Sequence, residues 1–504
     1  MKKPDASIHE LIHNMDQNER RYFKLFTRNL GGKGSHYAKL FDVIGEQKEY
    51  DEEAIKTCFK REKFVQYFAV TKKRLYELLL KALRSYSSGK TIEFLILEGL
   101  ENVEILRRKG LFGQMGKELK KLEETVREYD SVLYLPTILR WKLYVLGVDS
   151  YKKENDFAKE VEAFEKSIEQ LQLLAPSWLI MLKFRFSSIK QYAFPNLEEE
   201  LEKLKTETEV LGGFRGIIDV YTALSLINTA NGKMSIALGY WKKIILELDK
   251  IDYHKSSILT KKYISAITTA IDVCSYSPFV DDFHEMCVKY DQLKITSISH
   301  QEYIKHQYYH LNSRLRFYRK TGATEDGMQW VAKFKELIKK EESLLEHHST
   351  AIIYFEIAGI YFLNESIEEA LDYLEDSISI LEEKNSRIEL QQIIRLIKLI
   401  AYYQLESFLL LPNLIRSFQR QLDKNASYYE FSTYVATLLK KITKTVSPKT
   451  KKELLLKAKK ELIELQDCEK WLVCFPFVDW IDSHMLKKPL SLILKEKYEE
   501  GSNA

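Results

Sequence analysis

Hydrophobic residues along this chain recur at intervals of three and four, and nowhere alternate in the period of two that marks a half-buried strand. The pattern is clearest from Ala351 to Glu383. There Tyr354, Ile357, Ala358 and Tyr361 share one helix face, Asn364, Glu365 and Ser366 interrupt it, and Ala370 and Leu374 start a matching stripe on a second helix. Ser366 is expected to cap that second helix, with Glu369 reaching back as its capping-box partner. Two amphipathic helices joined so tightly must run antiparallel, so the stretch reads as one helical hairpin whose apolar faces require neighbours.

The same grammar runs along the whole chain. In residues 1–90, Asp16 and Glu19 form a capping box ahead of Tyr22, Phe23, Leu25 and Phe26. A glycine-rich break at Gly31, Gly32 and Gly34 precedes a helix carrying Tyr37, Leu40, Phe41 and Ile44. Asp51 starts another, with Glu52 and Glu53 where the helix dipole favours acids. A long helix over 70–86 has Leu75, Leu78, Leu79, Ala82 and Leu83 as its apolar stripe. From Thr91 onward, amphipathic helices alternate with short breaks at 109–110, 155–156, 175–176, 195–196, 212–213, 231–232, 321–324 and 364–366, with no Ser-, Gly- or Pro-rich linker between them. Ser447 and Pro448 open a C-terminal part in which Trp471, Phe475, Phe477 and Trp480 surround Pro476. This aromatic segment is expected to close the end of a stack, with an exposed docking patch as the alternative. The expected organisation is a helical N-terminal unit over 1–90, a helical-repeat array over 91–446 and capping helices over 447–504.

A second hairpin, from Ile218 to Asp249, supports a family resemblance. Tyr221, Leu224 and Ser225 line its first helix, Asn231 and Gly232 make the turn, and Ala237, Trp241 and Ile244 line the second. In both hairpins the order of large and small residues resembles the tetratricopeptide repeat, whose signature is W-x2-L-G-x2-Y, followed by A-x3-F and a proline. Asn228 stands where the family prefers an aromatic, and Asp249 and Glu382 replace the terminal prolines. The clear resemblance covers about 65 of the 504 residues. It implies an all-α fold, an α-solenoid of antiparallel hairpins (a tetratricopeptide-like superhelix), and binding of a protein or peptide on the inner face. On the first helix of the Ala351 hairpin, the residues outside the packing stripe include Ile352, Phe355, Glu356, Phe362 and Leu363. Burial of this mainly apolar face by a tightly wound superhelix is the favoured reading; if the face is open, these five are the candidate partner contacts, an apolar groove for an amphipathic partner. The lysines and asparagines with which some family members clamp a C-terminal carboxylate are missing here.

Composition narrows the reading further. Nine prolines and nineteen glycines are few for the length, which favours helices with short connections. A net charge of +4 from 77 basic and 73 acidic residues points to no particular polyanionic or polycationic partner. Cys58, Cys274, Cys287, Cys468 and Cys474 are odd in number and contain no C-x-x-C pair, so reduced thiols are expected. No secretory signal opens the sequence and no window reaches eighteen apolar residues, so a cytoplasmic protein without a membrane partner is expected.

Candidate chemistry is sparse. His9, Glu10 and His13 spell the zinc-protease pattern H-E-x-x-H, whose histidines share a helix face, yet no sheet supports it and a third ligand would have to be Glu46 or Glu49 without a motif. An ordinary first helix packed through Ile8, Leu11 and Ile12 is the expectation. His300, His306 and His310, and the adjacent His347 and His348, lack a carboxylate at ligand spacing. Gly31, Gly32, Lys33 and Gly34 fall short of a phosphate loop, which requires Ser or Thr after the lysine and a preceding strand. No catalytic, cofactor or metal role is assigned. Two basic runs stand out: eight cations against two acids over 60–84, and nine lysines against Glu453 over 440–460. The first can form a helix-turn-helix-like pair over 51–86, with Lys72, Lys73 and Arg74 near the start of the second helix. The leading expectation is a non-enzymatic protein-interaction scaffold; the alternative is a nucleic-acid-binding regulator using 51–86.

Overall fold

The computed structural model describes residues 6–28, 34–148, 154–190, 213–275, 279–295, 297–341, 347–383, 387–422, 429–465 and 474–502, with single positions between some of these. They form 23 α-helices and two short 3-10 helices, with no strand among them. The chain is all-α and of helical-repeat construction. It divides into two units, Met1–Ala266 with Leu293–Tyr303, and Ile267–Gln292 with Ile304–Ala504.

The first unit contains α1 (Ser7–His13), α2 (Gln17–Arg28), α3 (Gly34–Glu46), α4 (Glu52–Cys58), α5 (Phe68–Ser87), α6 (Ile92–Arg108), α7 (Phe112–Glu128), α8 (Leu135–Val148), α9 (Glu154–Lys190), α10 (Gly213–Ala230), α11 (Met234–Asp249) and the first part of α12 (Ser257–Cys274). Helices α1 to α5 close around one core in which Ile8, Ile12, Phe23, Leu40, Ile44, Leu75 and Leu79 are buried. The capping box forms as read: the Glu19 amide donates to Asp16 Oδ1 at 2.7 Å and the Asp16 amide to Glu19 Oε2 at 2.9 Å. Farther on, α6 supplies a cap across 164 residues, because the Ser257 amide that opens α12 donates to Glu93 Oε2 at 3.1 Å. The expected break at Ala175–Pro176 does not occur, and α9 runs 37 residues through Pro176. Pro176 is exposed, so the carbonyl left without its usual N–H partner meets water, and Ser177 Oγ donates to Leu174 O at 2.8 Å in the same turn.

The second unit contains the end of α12, then α13 (Val280–Asp291), α14 (His300–Thr321), α15 (Thr324–Glu341), α16 (His347–Leu363), α17 (Ile367–Glu383), α18 (Ile388–Gln404), α19 (Leu411–Gln421), α20 (Tyr429–Lys444), α21 (Pro448–Glu464), α22 (Phe477–Leu486) and α23 (Leu490–Ser502). The first residues of α14 belong to the other unit. Ala358 and Ala370 are fully buried between α16 and α17, and Ser377 Oγ donates to Ala351 O at 2.7 Å, so small residues and one hydrogen bond hold these helices close. Ser225 and Ala237 are buried in the same way between α10 and α11 of the first unit.

One turn recurs in both units. A residue with positive φ follows the helix, and the next amide bonds back to the carbonyl five residues earlier: Leu111 to Leu106 at 3.0 Å, Lys233 to Asn228 at 2.8 Å, Ala323 to Tyr318 at 3.1 Å, and Ser366 to Tyr361 at 3.0 Å. This bond satisfies a terminal carbonyl and reverses the chain in two or three residues. At Ser366 it replaces the expected capping box. The Ser366 hydroxyl receives Asn364 Nδ2 at 3.4 Å, and Glu369 points to solvent.

Among the described residues, no helix is long and apolar enough to cross a membrane.

Candidate interaction surfaces

The inner face of the Ala351 hairpin is covered. Phe355, Glu356, Phe362 and Leu363 are buried, and Ile352 is only partly exposed, so this set is not available to a partner in the folded chain. Phe362 packs edge-on against Phe475 with ring centroids 5.2 Å apart, which places the aromatic segment before α22 directly over α16. Between them remains a cavity of about 20 Å³, room for a single water, lined by Phe355, Phe362, Leu363, Cys474 and Phe475 among others. Phe477 and Trp480 are buried, which agrees with a closing element; Trp471 and Cys468 lie outside the described residues.

Glu356 is buried for an electrostatic reason. Its Oε2 accepts from Arg319 Nε at 2.6 Å and its Oε1 from Arg316 Nε at 3.2 Å, while Arg316 Nη1 donates to Asp272 Oδ1 at 2.6 Å and Arg319 Nη1 to Cys474 O at 3.0 Å. Burial alone would raise the Glu356 carboxyl, but the two guanidinium groups outweigh it and hold the pKa below the ordinary value. Lys320, on the same helix, is pushed down to about 8 by burial and by Arg319 and Arg316. The network ties α12, α14, α16 and Cys474 together, and its role is to hold the stack.

The basic segment is only partly as read. A 3-10 helix over Lys63–Tyr67 separates α4 from α5, so the connection is far longer than a helix-turn-helix turn allows. Lys72 is not free: its Nζ donates to Glu52 Oε2 at 2.9 Å and lies 5.4 Å from the Tyr50 ring centroid. Lys73 and Arg74 are exposed. With Lys81 and Arg84 they form one stripe along α5, at helical spacing, and none of the four has a salt-bridge partner among the described residues. Lys60, Arg61 and Lys63 precede it, also exposed.

Beside this stripe lies a feature that periodicity alone did not reveal. Leu80 and Leu83 of α5 and Phe94 of α6 line an open apolar groove of about 430 Å³, with Glu77 and Arg84 of opposite charge among its walls. Leu80 and Phe94 are exposed, as is Leu97 one turn farther along α6. In the sequence Leu80 follows Leu78 and Leu79 in one apolar run and Leu83 lies just beyond Lys81; only the packing of α2 on the opposite face of α5 decides which of these leucines reaches solvent.

The histidine motifs do not assemble a metal centre. His9 Nε2 meets Gln47 O at 3.0 Å, His13 Nδ1 meets His9 O at 3.0 Å, and the two ring centroids lie 3.9 Å apart with the planes tilted by 33°. Each ring keeps one nitrogen, as metal-bound histidines do. Among the described residues, however, no group of three His, Cys, Asp or Glu side chains is placed to hold an ion, and Glu46 and Glu49 are exposed. His310 is buried against Tyr290, with centroids 3.6 Å apart, and its Nε2 is 3.7 Å from Asp291 Oδ1. His300 and His347 are exposed, and His306 and His348 partly so. Gly31, Gly32 and Lys33 lie outside the described residues, and Gly34 begins α3. Compared with known proteins, the chain matches no family model and no curated sequence.

Proposed function

We propose that the chain is a non-enzymatic, cytoplasmic, tetratricopeptide-like scaffold that binds a protein partner, with the docking site in the groove between α5 and α6 and not on the covered face of α16. The observation that carries this reading is the open apolar groove of Leu80, Leu83 and Phe94 with Arg84 and Glu77 at its margin. Its chemistry suits one turn-spaced row of apolar residues from an amphipathic helix, and the two opposite charges would set the direction in which that helix lies. The hairpins that follow give the groove a fixed platform. The test is a photo-cross-linking residue placed at position 94 of the full chain in its own cells. The expected result is one predominant cross-linked protein that is lost when Leu80→Asp is added; the same products from both forms would sink the proposal.

A second reading is favoured by a separate observation, the exposed stripe of Lys73, Arg74, Lys81 and Arg84, which has no salt-bridge partner among the described residues. Four cations on one helix face suit a phosphate backbone, and the long connection to α4 argues for contact with phosphates over groove reading by a helix-turn-helix. Retention on mixed-sequence duplex DNA at low salt, lost steeply as salt rises, is the expected behaviour under this reading.

A further inference from the structure

The turn between α18 and α19 is built to expose apolar side chains. Leu409 is 95% exposed, Leu410 57% and Phe408 41%, three consecutive large hydrophobic residues at one tip. Their backbone is well held. Glu406 takes positive φ, the Ser407 amide donates to Tyr402 O at 3.0 Å, and the Leu410 amide to Ser407 O at 3.1 Å. Beneath the tip, the Phe408 ring rests 5.8 Å from Tyr403, itself buried and packed 5.9 Å from Trp480 and 5.6 Å from His484. The exposure is therefore fixed by the fold.

The helix start beside this tip is cationic. Lys451 Nζ lies 5.0 Å from the Tyr403 ring centroid, which puts the start of α21 at the same place as Phe408. The end of α20 is only a few residues away in the chain, since α20 stops at Lys444 and α21 begins at Pro448. The end of α20 and the start of α21 carry Lys440, Lys441, Lys444, Lys449, Lys451 and Lys452 against Glu453, with Glu406 in the α18–α19 turn. Lys444, Lys449 and Lys452 are exposed and have no salt-bridge partner among the described residues. Val446, between the two helices, is 95% exposed.

We propose that this edge rests on an anionic lipid surface, with Phe408, Leu409, Leu410 and Val446 entering the acyl boundary while the lysines of α20 and α21 meet the headgroups. A protruding apolar tip beside a lysine-rich helix start matches the two layers of such a surface, apolar below and negative above. Charge complementarity argues against the simplest rival, since two copies joined through this edge would bring their lysines face to face. Adsorption of this kind needs a few apolar side chains at the headgroup boundary and not a continuous apolar helix, of which there is none among the described residues. The proposal stands on residues remote in sequence from the α5/α6 groove and is independent of what binds there.

The test uses the full chain and sedimentation with phosphatidylcholine vesicles, with or without roughly a third phosphatidylserine. Binding is expected only to the anionic vesicles, to weaken as salt rises, and to fall by about tenfold or more in Leu409→Asp combined with Leu410→Asp. Lys449→Glu with Lys452→Glu should weaken it comparably. These side chains touch little in the folded chain, so an unchanged melting temperature certifies the variants. Absence of binding to anionic vesicles would overturn the proposal. So would binding that survives Leu409→Asp with Leu410→Asp, which would reduce the site to lysine adsorption. Self-association that the same variant abolishes, or salt-sensitive binding to an acidic protein in place of lipid, would give the tip a different occupant and overturn it equally.

Discussion

Arg319 Nε donates to Glu356 Oε2 at 2.6 Å with both side chains buried, and this contact accounts for why the inner face of α16 is closed. A carboxylate on that face requires cations above it. α14 supplies Arg316 and Arg319, and Arg319 in turn holds the carbonyl of Cys474, bringing the aromatic segment down over Phe362. Removing one partner of such a group leaves uncompensated buried charge, so Glu356→Ala is expected to destabilise the second unit by about 3–5 kcal/mol. Urea unfolding, followed by hydrogen exchange across 304–383, should show the loss there. A change of under about 1 kcal/mol would mean that the pair is far more hydrated than its burial indicates.

His310 gives the second unit an acid sensitivity. Burial pushes its pKa down to about 4 from 6.5; Asp291 opposes the shift, and Arg314 and Lys333 reinforce it. The folded chain therefore holds fewer protons than the unfolded chain between those two values, so stability falls as pH drops from about 6.5 toward 4. The loss approaches about 1.4 kcal/mol per pH unit in the middle of that window. His310→Phe keeps the stacking on Tyr290 and removes the titration. The variant should be least affected at pH 7 and gain on the wild type as pH falls. His484, pushed down to about 4 by burial and by Lys451, keeps its own share of the slope, which His484→Phe should remove in turn. Parallel stability curves for wild type and His310→Phe from pH 7 to 4 would show that the imidazole is not desolvated as placed.

The recurring turn makes two opposite substitutions informative. Glu365 sits at φ 62, a conformation that glycine adopts freely and other residues at a cost. Glu365→Gly is therefore expected to stabilise the α16–α17 hairpin by about 0.5–1 kcal/mol. Gly322 closes the equivalent turn between α14 and α15 at φ 74, and a Cβ there would stand 2.1 Å from Ser491 O. Gly322→Ala combines backbone strain with that clash, and a loss of about 2–4 kcal/mol is expected. Thermal melts of both variants check the pair; equal effects would show that the turn conformation carries no strain.

Some of this architecture was legible in sequence and some was not; chain distance accounts for most of the difference, although the equally local Ser366–Glu369 box gave way to the turn closed by the Ser366 amide. The Asp16–Glu19 capping box was readable because both partners lie within three residues and form as soon as the helix does. The hairpins were readable because periodicity and short breaks are local. Glu356 was not, since its arginines lie 37 and 40 residues away and nothing beside it in sequence announces them. It therefore looked like a polar residue facing a partner. Pro176 misled in the other direction: a helix break is the local expectation, but an exposed position lets the freed carbonyl be hydrated and α9 continues. Lys72 belonged by sequence to a triad with Lys73 and Arg74, and Glu52, twenty residues earlier, takes it out.

The two readings of α5 make different demands on the same helix, which allows one experiment to separate them. The groove uses Leu80 and Leu83 with Phe94 of α6, whereas the cationic stripe uses Lys73, Arg74, Lys81 and Arg84. Lys73→Glu with Arg74→Glu lies about two turns from Leu80 and leaves the groove intact, since neither residue lines it. If a protein partner is held in the groove, this double variant should retain the cross-link from position 94, while Leu80→Asp loses it. If a phosphate backbone lies along the stripe, the double variant should lose about tenfold or more of its low-salt affinity for duplex DNA, and the salt dependence should become shallower because two fewer counterions are released. Leu80→Asp should then change DNA binding only by the added negative charge. A cross-link that disappears in both variants would mean that the partner spans groove and stripe together, and its acidic residues would be sought opposite Lys73 and Arg74.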